Sequence, residues 1–174
     1  MIEIRWHARA GQGAKTAAYL LAQAAVRAGK SAQAFPEYGP ERRGAPVQAY
    51  TRIDDRPIRR HDSVTAPRAV AVLDSSLLEE PSVVAGAGPG TILLADVGRP
   101  PSLNGTRLVP VPAAQLAEKA GTKYVNLVMA GAVAAALGQP PLANVQEAAA
   151  ELLGAKADAD AACAAVQEGY EWLS

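Results

Sequence analysis

The side chains best suited to recognition chemistry lie in one stretch, Phe35–Pro46, between two strand-like runs. Its prolines fix φ and its glycines permit backbone angles that other residues avoid, so the stretch is stiff. An ordinary connection needs only about 2–6 residues. The members that can form ion pairs and hydrogen bonds are Glu37, Tyr38, Glu41, Arg42 and Arg43. Because a long charged loop is costly to order, we expect it to meet a ligand or another polypeptide chain.

A second candidate is the turn Gly11–Gly13, which follows the first strand-like run and precedes a helical one. It does not match a Walker phosphate loop ending in Lys15, because Arg9 and Ala14 stand where glycines are required. It also lacks the third glycine of a dinucleotide fingerprint, since that position is Thr16. Backbone N–H groups at a helix N-terminus, with Lys15 and Arg9 nearby, still favour an anion. The glycines equally fit a tight turn with close helix–sheet packing, and both interpretations stay open.

The composition predicts a single domain, residues 1–174, that buries roughly 70% of its unfolded surface. The 17 basic and 17 acidic side chains balance, so we expect neither a nucleic acid nor a membrane as partner. Cys163 is the only cysteine, too few for an internal disulfide or an iron–sulfur cluster, which needs about four ligands. No export signal is visible, and the apolar run Val128–Leu137 is about half a membrane span. These features predict a cytoplasmic chain with no metal site of its own.

Apolar periodicity predicts that strands and helices alternate along the chain. The predicted strands are Ile2–Ala8, Ser31–Phe35, Val47–Ile53, Ala69–Leu73, Thr91–Asp96 and Arg107–Val111, with Arg56–Ile58 as a hairpin partner of the third. The predicted helices are Ala14–Ala28, Ala113–Ala120, Tyr124–Leu137, Val145–Leu153 and Asp158–Trp172. Asp74 and Asp96 end two strands, where open α/β sheets place ligands, although capping a helix or turn is the simpler role. The alternation predicts a Rossmann-like α/β fold, a doubly wound and mostly parallel sheet flanked by helices.

Sequence motifs occur in a fixed order along the chain. The first is the turn Ala8-Arg9-Ala10-Gly11-Gln12-Gly13, and the second comprises Pro36, Gly39, Pro40, Glu41, Arg43, Gly44 and Ala45. The third comprises Asn126, Met129, Gly131 and Ala132, and Gly169-Tyr170-Glu171 follows near the C-terminus. In these motifs the chain resembles, over essentially its whole length, the γ subunit or γ domain of 2-oxoacid:ferredoxin oxidoreductases, the pyruvate:ferredoxin oxidoreductase family. It departs from the family pattern at Ala8 and Ala10, where the family usually has glycine.

The resemblance implies one subunit of a larger enzyme, with no catalytic residue of its own. In the family, thiamine diphosphate with Mg lies between the α and β chains, and 4Fe-4S clusters lie on other, δ-type subunits or domains. The implied reaction is oxidative decarboxylation of a 2-oxoacid to an acyl-CoA, with electrons passed to ferredoxin or a similar acceptor. This chain would then hold no cofactor alone. It would pack against the α, β and δ-type subunits and help to form the coenzyme A side of the active site.

The resemblance also implies roles for particular residues. Gly11, Gln12 and Gly13 become candidates for the phosphates or pantetheine of coenzyme A. Arg42, Arg43 or both are predicted to make a charge-assisted contact, because a planar guanidinium suits a carboxylate or phosphate. Their partner is coenzyme A, a neighbouring subunit, or the carboxylates of their own loop. The predicted interface residues are Glu37, Tyr38, Glu41, Arg43 and Asn126, of which Asn126 also fits a packing or capping role.

Two other functions remain open from the sequence. One is a stand-alone nucleotide-binding module that uses Gly11–Gly13, with Glu37 as the acid that binds a ribose; Pro36 and the missing third glycine count against it. The other is a purely structural γ subunit that contacts no ligand. His7, on an alternating strand, is expected to be a core or turn residue and not a general base.

Overall fold

A mixed sheet of six strands organises the part of the chain that is described. The computed structural model describes residues 1–37, 44–97, 107–153 and 156–174. The strands are β1 Ile2–Arg9, β2 Ser31–Glu37, β3 Pro46–Asp54, β4 Ala69–Val72, β5 Ile92–Asp96 and β6 Arg107–Val111. Their order across the sheet is β2-β3-β1-β4-β5-β6. The pairs β1–β4, β4–β5 and β5–β6 are parallel, whereas β3 runs antiparallel to both β1 and β2.

The predicted α/β fold class is confirmed, but one predicted strand is wrong. Arg56–Ile58 forms no strand, and β3 pairs instead with β2. Pro57 has no N–H to donate to a ladder, so this segment is a poor strand. β2 also extends as far as Glu37, which lets it pair with β3 from Ser31 opposite Asp54 to Glu37 opposite Gln48.

Helices cover the two faces of the sheet unequally. They are α1 Ala14–Arg27, α2 Pro81–Val84, α3 Ala113–Lys119, α4 Val125–Leu137, α5 Leu142–Leu153 and α6 Lys156–Glu171, with a short 3-10 turn at Ser75–Leu77. One face packs α1 and α3–α6 into the larger core, whereas α2 and the 3-10 turn cover β4 and β5 on the other. α4 is buried on all sides, from Asn126 to Ala134. The apolar run Val128–Leu137 therefore lies within a buried helix.

The alternation of β1 assigns its side chains to two different environments. Ile4, Trp6 and Ala8 point into the larger core. The Trp6 indole N–H donates to Thr51 Oγ1 at 3.0 Å, and the Thr51 hydroxyl donates to the Ala18 carbonyl of α1 at 3.0 Å. These bonds satisfy the polar atoms of the core and fix α1 against the sheet. Because the glycine turn leads directly into α1, the position of α1 sets the position of the turn.

Candidate functional site

A crevice of about 600 Å³ opens at the carboxyl ends of the parallel strands. The chain leaves β1 toward β2 and β3 on one side of the sheet, while β4 pairs on the other side. Such a switch point is where open α/β sheets bind ligands. The residues that line the crevice come from the glycine turn, two strand ends and three helices: Gly11, Gln12, Gly13, Thr16, Leu73, Asp96, Lys123, Tyr124, Val125, Asn126, Leu127 and Leu152.

The glycine turn forms one wall of this crevice and starts α1. Gly11 and Gly13 have φ values of 98° and 86°, which residues with a Cβ rarely adopt. Gly13 is the N-cap of α1, and none of the described side chains caps this helix end. The first N–H groups of a 14-residue helix therefore face the crevice region without an acceptor among the described side chains. This arrangement favours an anion at the mouth of the turn.

Asn126 lines the crevice next to Gly13 of the turn. Its side chain is buried, with only 6% of the residue exposed. The amide nitrogen lies 3.5 Å from the Gly13 carbonyl oxygen, at the long limit of a hydrogen bond. A Cβ on Gly13 would lie 2.7 Å from that nitrogen, so the buried Asn126 side chain would have to shift to admit one. The structure thus places Asn126 in this chain's own crevice.

Both ends of the Gln12 side-chain amide form hydrogen bonds within the chain. Its Oε1 accepts the backbone N–H of Arg9 at 2.7 Å, and its Nε2 donates to Asp74 Oδ2 at 2.8 Å. Asp74 also accepts the backbone N–H of Ser76 at 3.0 Å and thereby caps the 3-10 turn after β4. Hydrogen bonds from Ser76 and Gln12 hold the pKa of the Asp74 carboxyl below its usual range. Gln12 therefore shapes the turn through bonds within the chain.

Asp96 is a capping residue, as its position at a strand end allowed. Its Oδ1 accepts the backbone N–H groups of Ala113 and Ala114, at 2.9 and 3.3 Å, and so caps the start of α3. Burial raises the pKa of this carboxyl above its usual range, and the backbone donors oppose that rise. The carboxyl lines the crevice floor in addition to its capping role.

Glu37 lies away from the glycine turn. β3 separates β2 from β1, so two strand spacings, about 10 Å, lie between Glu37 and the row of His7. The Glu37 carboxylate instead accepts a hydrogen bond from the Tyr50 hydroxyl. Burial and this bond raise the pKa of Tyr50 to about 12. This geometry does not support Glu37 as a ribose acid beside Gly11–Gly13.

The other predicted residues of the charged loop, Tyr38, Glu41, Arg42 and Arg43, lie outside the described residues. The described ends of the loop are nevertheless attached to the sheet. Glu37 is bound by Tyr50. The Gly44 carbonyl accepts from the Arg9 guanidinium at 3.1 Å, and the Ala45 carbonyl accepts the N–H of Ala10 at 2.9 Å.

His7 is a core residue, as predicted. Only 3% of it is exposed, and its Nε2 accepts the Arg5 Nε–H at 3.0 Å. Burial, and next the charge of Arg5, lower the pKa of His7 to about 3, so the ring is neutral at physiological pH. The Arg5 guanidinium in turn donates to the carbonyls of Val83 and Ala85, at 2.9 and 2.8 Å. The pair fastens α2 to the sheet.

The glycines of the two C-terminal motifs lie where α4 and α6 cross. A Cβ on Gly131 would lie 2.0 Å from the Val166 carbonyl oxygen, and one on Gly169 would lie 1.9 Å from that of Val128. Real Cβ atoms do not approach so closely, so the crossing requires glycine on both helices. These two motif glycines serve packing, and they hold the N-terminal end of α4 at the crevice.

Several lining residues were not found from the sequence. Thr16, Lys123, Tyr124 and Leu152 belong to separate elements, and only the fold brings them together. Ser76, which contacts Arg9 outside the crevice lining, could have been found, because an Asp-x-Ser sequence after a strand is typical of a side-chain-capped turn.

Metal-binding clusters and membrane-spanning helices can be assessed within the described ranges. No three His, Cys, Asp or Glu side chains in them come together as metal ligands. No helix within the same ranges has the length and apolar character needed to cross a membrane.

Comparisons with known proteins cover nearly the whole chain. The sequence pattern of the pyruvate ferredoxin/flavodoxin oxidoreductase family matches residues 3–172. The pyruvate/ketoisovalerate oxidoreductases common subunit gamma of Thermococcus kodakarensis is 46% identical over 156 residues, covering 85% of this chain and 84% of the relative. Pyruvate synthase subunit PorC of Thermotoga maritima is 40% identical, covering 97% of this chain and 93% of the relative.

Structural similarity agrees with the sequence comparisons. The crystal structure of the Thermotoga maritima pyruvate oxidoreductase subunit PORC aligns with a TM-score of 0.84 and 35% identity, covering 98% of this chain and 95% of that chain. The resemblance that the motifs indicated is therefore confirmed over the full fold. This chain belongs to the pyruvate ferredoxin/flavodoxin oxidoreductase family, as a chain of the gamma-subunit type.

Proposed function

We propose that this chain is the gamma subunit of a multi-subunit 2-oxoacid:acceptor oxidoreductase, located in the cytoplasm, that oxidatively decarboxylates a 2-oxoacid to an acyl-CoA. Within that enzyme the chain supports subunit assembly and contributes to the coenzyme A side of the active site. Partner α, β and δ-type chains hold thiamine diphosphate, Mg and the 4Fe-4S clusters and pass electrons to ferredoxin or another acceptor. The near full-length similarity to gamma subunits named for pyruvate and ketoisovalerate oxidoreductases supports this proposal.

The crevice at the glycine turn is the observation that carries the coenzyme A part of the proposal. Coenzyme A combines phosphates with an adenine and an extended pantetheine arm. The start of α1 at Gly13, which none of the described side chains caps, offers backbone N–H groups to a phosphate. Lys123 adds an exposed ammonium to the lining, while Tyr124 and Leu152, 39% and 42% exposed, offer apolar surface. A mixed polar and apolar crevice of this volume suits such a ligand.

The charged loop is proposed as the assembly contact. Tyr38, Glu41, Arg42 and Arg43 supply the hydrogen-bonding and charged groups from which protein interfaces select partners. Attachment of the loop at Glu37 and Gly44 supports this role, because a segment fixed at both ends loses less entropy when a partner binds.

Purification of the native enzyme tests the assembly. We expect this chain to co-purify with chains that carry thiamine diphosphate and iron–sulfur clusters. Arg43→Ala should weaken that association, while Arg56→Ala, an exposed arginine in a different loop, should leave it intact. A native chain that migrates alone would contradict the proposed function.

Kinetics of the assembled enzyme test the crevice. Lys123→Ala should raise the KM for coenzyme A about tenfold and leave the KM for the 2-oxoacid unchanged, because it removes one charge-assisted contact. Lys119→Ala is the matched control, since Lys119 is exposed, pairs with Glu168 at 2.7 Å and does not line the crevice. Equal coenzyme A kinetics in both variants, with normal assembly, would favour a purely structural gamma subunit.

A further inference from the structure

A closed ring of hydrogen bonds lies against the glycine turn. We propose that Arg9 and Ser76 are positioning residues that hold Gly11–Gly13 in its crevice-lining conformation, and that Arg9 is not an anion ligand. The position of Arg9 beside a glycine turn at a helix N-terminus suggested the opposite role from sequence alone. The ring itself is a feature of the described residues; only its consequence for coenzyme A rests on the proposed function.

The ring begins and ends at Arg9. The backbone N–H of Arg9 donates to Gln12 Oε1 at 2.7 Å, and Gln12 Nε2 donates to Asp74 Oδ2 at 2.8 Å. The Ser76 hydroxyl donates to Asp74 Oδ1 at 2.5 Å. The same hydroxyl oxygen accepts from Arg9 Nε at 3.1 Å and from Arg9 Nη2 at 2.7 Å. The side chain of Arg9 is thus tied, through the end of β4, to the turn that its own backbone enters.

Every nitrogen of the Arg9 guanidinium is engaged within the chain. Nε and Nη2 contact Ser76, Nη1 donates to the Gly44 carbonyl at 3.1 Å, and Nε also lies 3.6 Å from Asp74 Oδ2. Gln12 is engaged at both ends of its amide in the same way. The long side chains of the turn therefore bind the protein, which leaves the backbone of Gly11–Gly13 as the surface that a ligand meets.

The ring and the adjoining Arg9–Gly44 bond join parts of the chain that are far apart in sequence. Gln12 to Asp74 and Arg9 to Ser76 connect the end of β1 with the end of β4, and Arg9 to Gly44 connects both with the entry to β3. A turn with two left-handed glycines is conformationally free when isolated. The ring and the Arg9–Gly44 bond restrict that freedom by linking the turn to Asp74 and Ser76, which follow β4, and to Gly44, which precedes β3.

Amide hydrogen exchange of the full-length chain without coenzyme A tests the ring. Arg9→Met keeps the aliphatic stem and removes the guanidinium; it should speed exchange of the amides of residues 9–13 about tenfold or more. Ser76→Ala should have a smaller effect, about threefold, because Arg9 can still approach Asp74. Ser76→Thr, which retains the hydroxyl, should restore slow exchange. Ser75→Ala is the matched control, since Ser75 is exposed and adjacent.

The exchange and kinetic results distinguish the positioning role of the ring from the binding of coenzyme A. An anion ligand would leave exchange in the ligand-free chain unchanged on Arg9→Met, and that result would overturn the inference. Faster exchange with an unchanged KM for coenzyme A in the assembled enzyme would support the ring and contradict the placement of coenzyme A. Arg9→Lys adds a further comparison: a lysine supplies the charge but cannot reach Ser76 and Gly44 together, so exchange should stay fast.

Discussion

The glycine turn and the α4–α6 crossing both depend on glycine, for different physical reasons. In the turn, Gly11 and Gly13 adopt φ values of 98° and 86°, which a Cβ disfavours even in open space. At the crossing, Gly131 and Gly169 lie within helices, and the backbone of the opposite helix occupies the space of a Cβ. A glycine motif in a sequence can therefore mark an unusual backbone conformation or a close contact, and the two have different functional meanings.

The comparison also shows how the two regions depend on each other. The crossing fixes α4 against α6, and the N-terminal end of α4 carries Asn126 into the crevice behind Gly13. The packing motif thus sets the back wall of the site, while the turn motif sets the surface that faces a ligand. Only the glycine turn has backbone N–H donors that face the crevice.

The largest expected effect is a loss of stability at the crossing. Alanine in a helix interior ordinarily stabilises it by about 1 kcal/mol relative to glycine. Gly131→Ala and Gly169→Ala should instead each lower the free energy of unfolding by about 2–3 kcal/mol, because the new methyl group overlaps a carbonyl. Denaturant unfolding measures the change. Gly88→Ala, at a position with open space around it, is the control and should be nearly neutral; stabilisation by Gly131→Ala would refute the packing account.

The next effect separates two costs of placing alanine in the turn, that of the positive φ and that of steric contact with Asn126. Gly11→Ala should lower the free energy of unfolding by about 1–2 kcal/mol, through its φ alone. Gly13→Ala should cost more, because its methyl group also meets Asn126. Asn126→Ala should remove only that extra cost, giving a coupling of about 1 kcal/mol in a double-mutant cycle. Additive effects of Gly13→Ala and Asn126→Ala would mean that the contact carries no energy.

The smallest effect is a pH dependence confined to the turn region. The pKa of Asp74 is lowered in the folded chain, so its contribution to stability is present above the unfolded pKa, about 3.9, and is lost as pH falls through the folded value. Asp74→Asn should lower stability by a few tenths to about 1 kcal/mol at pH 7. That difference should shrink as pH falls below about 3.9, because the carboxyl is then protonated in the unfolded chain and progressively in the folded chain. The Gly131→Ala cost should not change over the same range, because it arises from overlap of the new methyl group with the Val166 carbonyl.

Much of the fold was predictable because local patterns agree with it. Six strands and five of the six described helices were located from apolar periodicity, and Gly131 and Gly169 were recognised as motif residues. The antiparallel pairing of β2 with β3 was not predicted, because the parallel-sheet expectation came from strand–helix alternation along the chain as a whole.

The candidate site was predictable in part. Gly11–Gly13 was identified correctly as a turn, and Asp74 and Asp96 as capping residues. The engagement of Gln12 and Arg9 with Asp74 and Ser76 could not be read from sequence, because these contacts span more than sixty positions and depend on which strands are neighbours. Lys123, Tyr124 and Leu152 reach the crevice only through the packing of α4 and α5.

Hydrogen exchange of the assembled native enzyme, with and without coenzyme A, shows directly whether the crevice binds coenzyme A. We expect coenzyme A to slow exchange in residues 11–16 and 123–127, which include the lining of the crevice. We expect no change in the α4–α6 crossing around Gly131 and Gly169. Unchanged exchange in both crevice segments at saturating coenzyme A would contradict the proposal that this chain forms part of the coenzyme A side of the active site.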